Sequence, residues 1–151
     1  MKNAIRLLAA AVIVLILTGC RAGTLSGLQG NLTDLKLGAD RKEISAVLGG
    51  EGKSTGTTPE RIIYSNIQLF DFVEQSETTK LTVFLNTEGK AYAYAYYLYD
   101  AREKNYSRIK DFFEQKYGPA SEGENASELW KEGEVAYSLF NQPEYIAISI
   151  F

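Results

Sequence analysis

The sequence predicts an α+β domain in which helices cover one face of an antiparallel sheet, and three observations predict it. Runs rich in β-branched and aromatic residues alternate in polarity and are separated by short turns, so successive strands return antiparallel. Two segments carry apolar residues at helical spacing, each followed by a stop signal. The 151 residues, 45% hydrophobic and 23% charged, suit one ordinary domain with its own core.

Taken in order, residues 1–19 read as an export leader. Lys2 and Arg6 give a positive start, and Leu7 to Leu17 are eleven uninterrupted apolar residues. As a helix that run covers ~16 Å, about half of a ~30 Å hydrocarbon core, which disfavours a permanent span. It closes on Leu17-Thr18-Gly19-Cys20. This resembles the bacterial lipoprotein signal, with cleavage between Gly19 and Cys20. The resemblance implies that Cys20 carries a diacylglyceryl group and usually a third acyl chain, and two or more chains anchor a protein stably. Arg21 and Ala22 follow, and neither is the Asp that commonly signals inner-membrane retention. In a cell with two membranes the resemblance therefore implies the outer one, facing the periplasm. Residues 20–30, the lipidated cysteine and a Gly/Ser/Thr-rich stretch, read as a flexible tether of at most ~35 Å. Residues 31–151 form a single domain.

Within it, Leu32 and Leu35 suit a short helical turn that Gly38 breaks. Asp40-Arg41-Lys42-Glu43 fits a capping box, Ile44, Val47 and Leu48 make one apolar stripe, and Gly49-Gly50 supplies a stop, giving a helix over 40–48. Residues 49–60 read as loop. Residues 61–73 are apolar on both parities, a strand inside the sheet or one that bends midway. A polar turn at 75–78 precedes a strand over 81–85. A hairpin loop at Asn86-Thr87-Glu88-Gly89 then leads into a returning strand over 90–99. The second helix spans 101–117, with Tyr106, Ile109, Phe113 and Tyr117 as its stripe and Gly118-Pro119 as its end. Residues 120–127 read as polar loop. Leu129-Trp130-Lys131 is a short strand with Trp130 as a core anchor, and strands over 134–140 and 144–151 complete the chain.

The order Leu32-x-x-Leu35-x-x-Gly38, Glu43-Ile44-x-x-Val47-Leu48-Gly49, Ile63-Tyr64 and Leu81-x-Val83-Phe84-x-Asn86-x-x-Gly89-Lys90 resembles the SmpA/OmlA family. These are BamE-like small lipoproteins with a helix-turn-helix on a three-stranded antiparallel sheet, an architecture shared with β-lactamase inhibitor proteins. The likeness covers 31–99, and Glu51 departs from the Pro the family often places there. From 100 to 151 a helix, a glycine, a polar loop and strands recur. That stretch is either a divergent repeat of the first unit, as in β-lactamase inhibitor proteins, or an unrelated extension.

Function classes narrow by what is missing. The chain has no histidine and one cysteine, so imidazole bases, Ser-His or Cys-His pairs and histidine metal sites are excluded. No enzyme activity, cofactor or metal is expected. A net charge of −3 makes nucleic acid an unexpected partner. Acidic pairs such as Asp71/Glu74 and Glu122/Glu124 read as solvated surface. Gly49 to Thr55 follows a helix, so it does not fit a phosphate loop, which joins a strand to one.

The candidate contact surface is Ala-Tyr-Ala-Tyr-Ala-Tyr at 91–96. Alternation puts Tyr92, Tyr94 and Tyr96 on one face and the alanines on the other. If helices pack on the alanines, the tyrosines form an outward aromatic platform for a partner protein. If later strands or a loop cover them, they are core. The resemblance implies a membrane-anchored envelope protein that binds or scaffolds others, helping outer-membrane protein assembly. The alternative is a periplasmic inhibitor that blocks an enzyme with its sheet face.

Overall fold

The computed structural model describes residues 28–49, 54–73, 79–99 and 102–151. The leader, Cys20, the 75–78 turn and Glu74 lie outside them. The first described backbone is a short strand, β1 (Leu28–Gln29), followed by a 3-10 turn at Leu32–Asp34 and helix α1 (Arg41–Val47). The strands β2 (Ser54–Thr57), β3 (Arg61–Ser65), β4 (Ile67–Gln68), β5 (Thr79–Leu85) and β6 (Ala91–Leu98) come next. Helix α2 (Arg102–Tyr117) then leads to β7 (Ser121–Glu122), a 3-10 turn at Glu124–Ala126, β8 (Glu128–Glu132), β9 (Val135–Asn141) and β10 (Ile146–Ile150).

Eight strands make one antiparallel sheet in the order β2-β3-β5-β6-β10-β9-β8-β7. Its centre is the pairing of β6 with β10, where Tyr96 stands opposite Ile148. From that pair the sheet runs outward in reverse chain order on both sides. β2 and β7, which follow the two helices, form its edges.

Local chemistry sets both ends of α1 and the end of α2. The Asp40 carboxylate accepts from the Lys42 and Glu43 amides at 3.0 and 2.9 Å, and the Asp40 amide donates to Glu43 Oε2 at 2.8 Å. These bonds satisfy helix-end donors, and with Lys90 at 3.5 Å they hold the Asp40 carboxyl below its usual range, the backbone bond to Glu43 contributing most. Helix α1 stops at Gly49, whose φ of 82° is strained for any residue with a Cβ. Helix α2 is held by rings: Phe113 stacks on Trp130 at 5.0 Å and meets Tyr137 at 5.5 Å. The Trp130 indole donates to the Gly118 carbonyl at the helix end.

Three segments differ from expectation. The segment foreseen over 61–73 bends at Asn66, φ 56°, the second of its two readings, but only β3 stays in the large sheet: β4 pairs with β1 outside it, and Leu69, Phe70 and Val73 enter the core. The loops foreseen at 49–60 and 120–127 contain the edge strands β2 and β7, formed because β3 and β8 offer unpaired backbone groups. The tether foreseen to residue 30 is already docked at Leu28. There β1 pairs parallel with β4, and the Gly30 amide donates to the Gln68 carbonyl at 3.0 Å. Glycine is required at position 30, because a Cβ would sit 2.9 Å from the Val47 carbonyl oxygen.

Candidate functional site

Register assigns the two faces of the sheet. Ile62, Val83, Tyr94, Ile150, Tyr137 and Trp130 form one row across six strands, all buried, in the same core as Ile44, Ile109 and Phe113. This is the inner face, and Tyr94 and Tyr96 belong to it, each 1% exposed.

Of the two readings of the tyrosine run, the buried one holds for Tyr94 and Tyr96, and the outward platform of Tyr92, Tyr94 and Tyr96 is corrected. Above β6 lie the stretch before α1 and the short strand β4, whose carbonyls at Lys36 and Ile67 need donors. Alanine has none, whereas a phenol has both the reach and the O–H. Tyr94 donates to the Lys36 carbonyl at 2.7 Å and Tyr96 to the Ile67 carbonyl at 2.9 Å. Burial pushes the Tyr96 phenol up to about 12, and Tyr94 is raised in the same direction with burial again the main cause. Both are protonated donors at neutral pH.

Tyr92 goes elsewhere. Phe84 pairs with Ala93 but Leu85 pairs with Ala91, so Tyr92 is the extra residue of a β-bulge. The bulge breaks the alternation, and Tyr92 is 57% exposed with its ring 6.2 Å from Phe84. The structure thus does not bring Tyr92, Tyr94 and Tyr96 together.

The outer face is made by the residues between the inner ones. Its central row is Thr82, Ala95, Ser149 and Ser138, small side chains on four adjacent strands. The row beside it runs from Phe84 through Ala93 to Phe151 and Ala136, whose backbones exchange hydrogen bonds of 2.7 and 3.0 Å. On the opposite side stand Tyr97, Ala147 and Phe140. The result is a trough of about 540 Å³, floored by small residues and flanked by Phe84, Phe140 and Phe151. Outside its lining, Tyr97, Tyr99 and Tyr145 cluster with ring centroids 5.5 to 6.2 Å apart, and burial raises the Tyr97 phenol. The Glu124–Ala126 turn overhangs the floor, with Asn125 and Ala126 both at positive φ.

A second groove, about 610 Å³, lies between the 3-10 turn and α1. Its lining includes Glu43, which is engaged in the helix cap, and Tyr94, whose hydroxyl bonds Lys36, so it is a seam between covering segments. Among the described residues no three His, Cys, Asp or Glu side chains come together to hold a metal, and no helix is long and apolar enough to cross a membrane. The trough offers shape, aromatic rims and hydroxyls. That equips it for recognition of another surface.

Sequence reasoning missed this face. The signal was present in Ile146-Ala147-Ile148-Ser149-Ile150, where small residues alternate with isoleucine. Searches against protein-family models, curated proteins and solved structures found no match to the chain.

Proposed function

We propose that the chain is a lipid-anchored cell-envelope protein that works as a protein-binding or scaffold module through the open face of its sheet. The observation that carries the reading is the Leu17-Thr18-Gly19-Cys20 sequence behind eleven apolar residues, in a chain whose sheet leaves a trough of small residues between aromatic rims. On this reading the leader is cleaved before Cys20, and the lipid holds the domain at the outer membrane, facing the periplasm in a two-membrane cell. Both helices cover the inner face, a BamE-like arrangement. The mirrored strand order supports reading the chain as a divergent pair of helix-and-strand units, as in β-lactamase inhibitor proteins, over an unrelated extension. A role in assembling outer-membrane proteins or in envelope integrity follows from the same resemblance.

The alternative is a periplasmic inhibitor that seats a loop of its target enzyme in the trough; the overhanging Glu124–Ala126 turn, which would clasp such a loop, favours it. The two readings share a surface and differ in what binding does to the partner. Purification of the tagged, lipidated chain in mild detergent is expected to recover a discrete envelope protein in near-equal amount. Recovery of the chain alone would overturn the scaffold reading. Loss of the recovered partner's catalytic activity on adding the chain would favour the inhibitor.

A further inference from the structure

We infer that the open sheet face docks an acidic, extended segment of its partner protein. This rests on the reading of that face as a binding surface and adds the chemistry of what it takes. The chain is acidic overall, 19 Asp+Glu against 16 Lys+Arg. The charged side chains that β3, β5, β6, β10, β9 and β8 turn to the outer face are nevertheless Arg61, Lys80 and Lys131, with no acid among them. The acids of β8 go the other way: Glu128 meets Lys110 of α2, and Glu132 lies near Tyr117. Among the described residues Glu124, on the overhanging turn, is the acid that lines the trough.

Among the described residues the three cations also have no ion-pair partner. Lys90 and Lys110 have carboxylate partners in Asp40 and Glu128, whereas Arg61, Lys80 and Lys131 make no ion pair to a described residue. Arg61 pairs with Phe84, and Lys131 with Ala136, so they end the row of Phe84, Ala93, Phe151 and Ala136, which runs beside the small floor. Five strand spacings of ~4.8 Å put them ~24 Å apart along the sheet. An extended segment of about seven residues spans the same length. Acids near its two ends would meet Arg61 and Lys131, and its middle would lie on the small floor against Phe84 and Phe151.

An anionic membrane would offer the same charge, but the shape of the face argues for a protein. The small floor lies in a trough flanked by Phe84, Phe140 and Phe151, which an extended segment enters and a flat headgroup layer does not.

The test uses the full, lipidated chain in its own envelope with a photoreactive benzoylphenylalanine replacing Tyr92, at the rim of the face. Cross-linking is expected to capture a protein segment carrying Asp or Glu at both ends of about seven residues. Combining Arg61→Glu with Lys131→Glu should lower the yield at least tenfold, and the milder Arg61→Gln with Lys131→Gln less so. Lys42→Glu, on α1, should leave it unchanged. Yield should also fall with added salt, because exposed charges are screened. A neutral or basic segment, a second copy of this chain, a lipid adduct or an unchanged yield in the double reversal would each overturn the inference. Capture of nothing from this face would overturn the reading of the face itself.

Discussion

The two faces of this sheet are built from the same strands by alternate residues, and they follow different rules. On β6, β9 and β10 the inner residues are Tyr94, Tyr96, Tyr137, Leu139, Ile148 and Ile150, all buried, and the two β6 hydroxyls are satisfied by the carbonyls of Lys36 and Ile67. The outer residues of the same strands, beside Tyr97 and Phe140, are Ala93, Ala95, Ala136, Ser138, Ala147 and Ser149, so small that Ala95, Ala136, Ser138 and Ala147 are only 5–8% exposed. Alanine is depleted in strands, and neither alanine nor serine offers much to pack, so stability alone gives no reason to place them on the central strands. The inner face accounts for the fold. The outer face has the marks of a surface kept open, with small residues under aromatic rims and three cations that make no ion pair to a described residue.

If that division holds, substitutions should separate by face, and the largest effect belongs to the inner one. Phe113→Ala removes the ring that ties α2 to Trp130 and Tyr137, and should cost about 3–5 kcal/mol in urea unfolding. A loss under about 1 kcal/mol would mean that α2 is not part of the core. Gly30→Ala comes next, at about 1–3 kcal/mol, because its Cβ would press on the Val47 carbonyl at 2.9 Å and on Leu48.

Tyr96→Phe should cost about 1 kcal/mol at neutral pH, since the Ile67 carbonyl keeps its second donor, the Thr79 hydroxyl at 2.7 Å. It also changes the response to alkali. The Tyr96 phenol titrates near 12 in the folded chain against 10 unfolded, so its contribution is whole below pH 10 and is lost as pH rises through 12. Unfolding midpoints should therefore fall above pH 10, with a slope of up to about 1.4 kcal/mol per pH unit from this group. Tyr96→Phe should flatten that slope, leaving the part that Tyr94 contributes in the same direction. The smallest effect on stability is expected from Tyr92→Ala, within about 0.5 kcal/mol, because the ring is mostly exposed on the outer side. A larger loss would place Tyr92 in the core with its neighbours and erase the distinction.

What was legible in the sequence was whatever local chemistry decides. The Asp40 box and Gly49 bound α1, and Gly118 ends α2, because caps and left-handed glycines act within a turn of the residue that carries them. The central strands followed from alternation. The edges β2 and β7 did not, because Gly/Ser/Thr-rich and polar stretches become strands only when a neighbour presents unpaired backbone. The tyrosines were misplaced for two reasons that spacing does not carry. A bulge at Tyr92 shifts one ring out of phase, and the segments covering β6, the stretch before α1 and β4, present carbonyls that need hydroxyls. The expectation that alanines mark the helix-packed side failed for the same reason.

The claim that the outer face binds while the inner face folds is tested most directly by Ser149→Trp. Ser149 lies on the trough floor between Ala95 and Ser138, and a Trp there fills the space without entering the core. Purified from the envelope as the lipidated full chain, this variant should keep the parent's urea midpoint and lose the co-purifying partner. Undiminished recovery of the partner, with the midpoint also unchanged, would contradict the account.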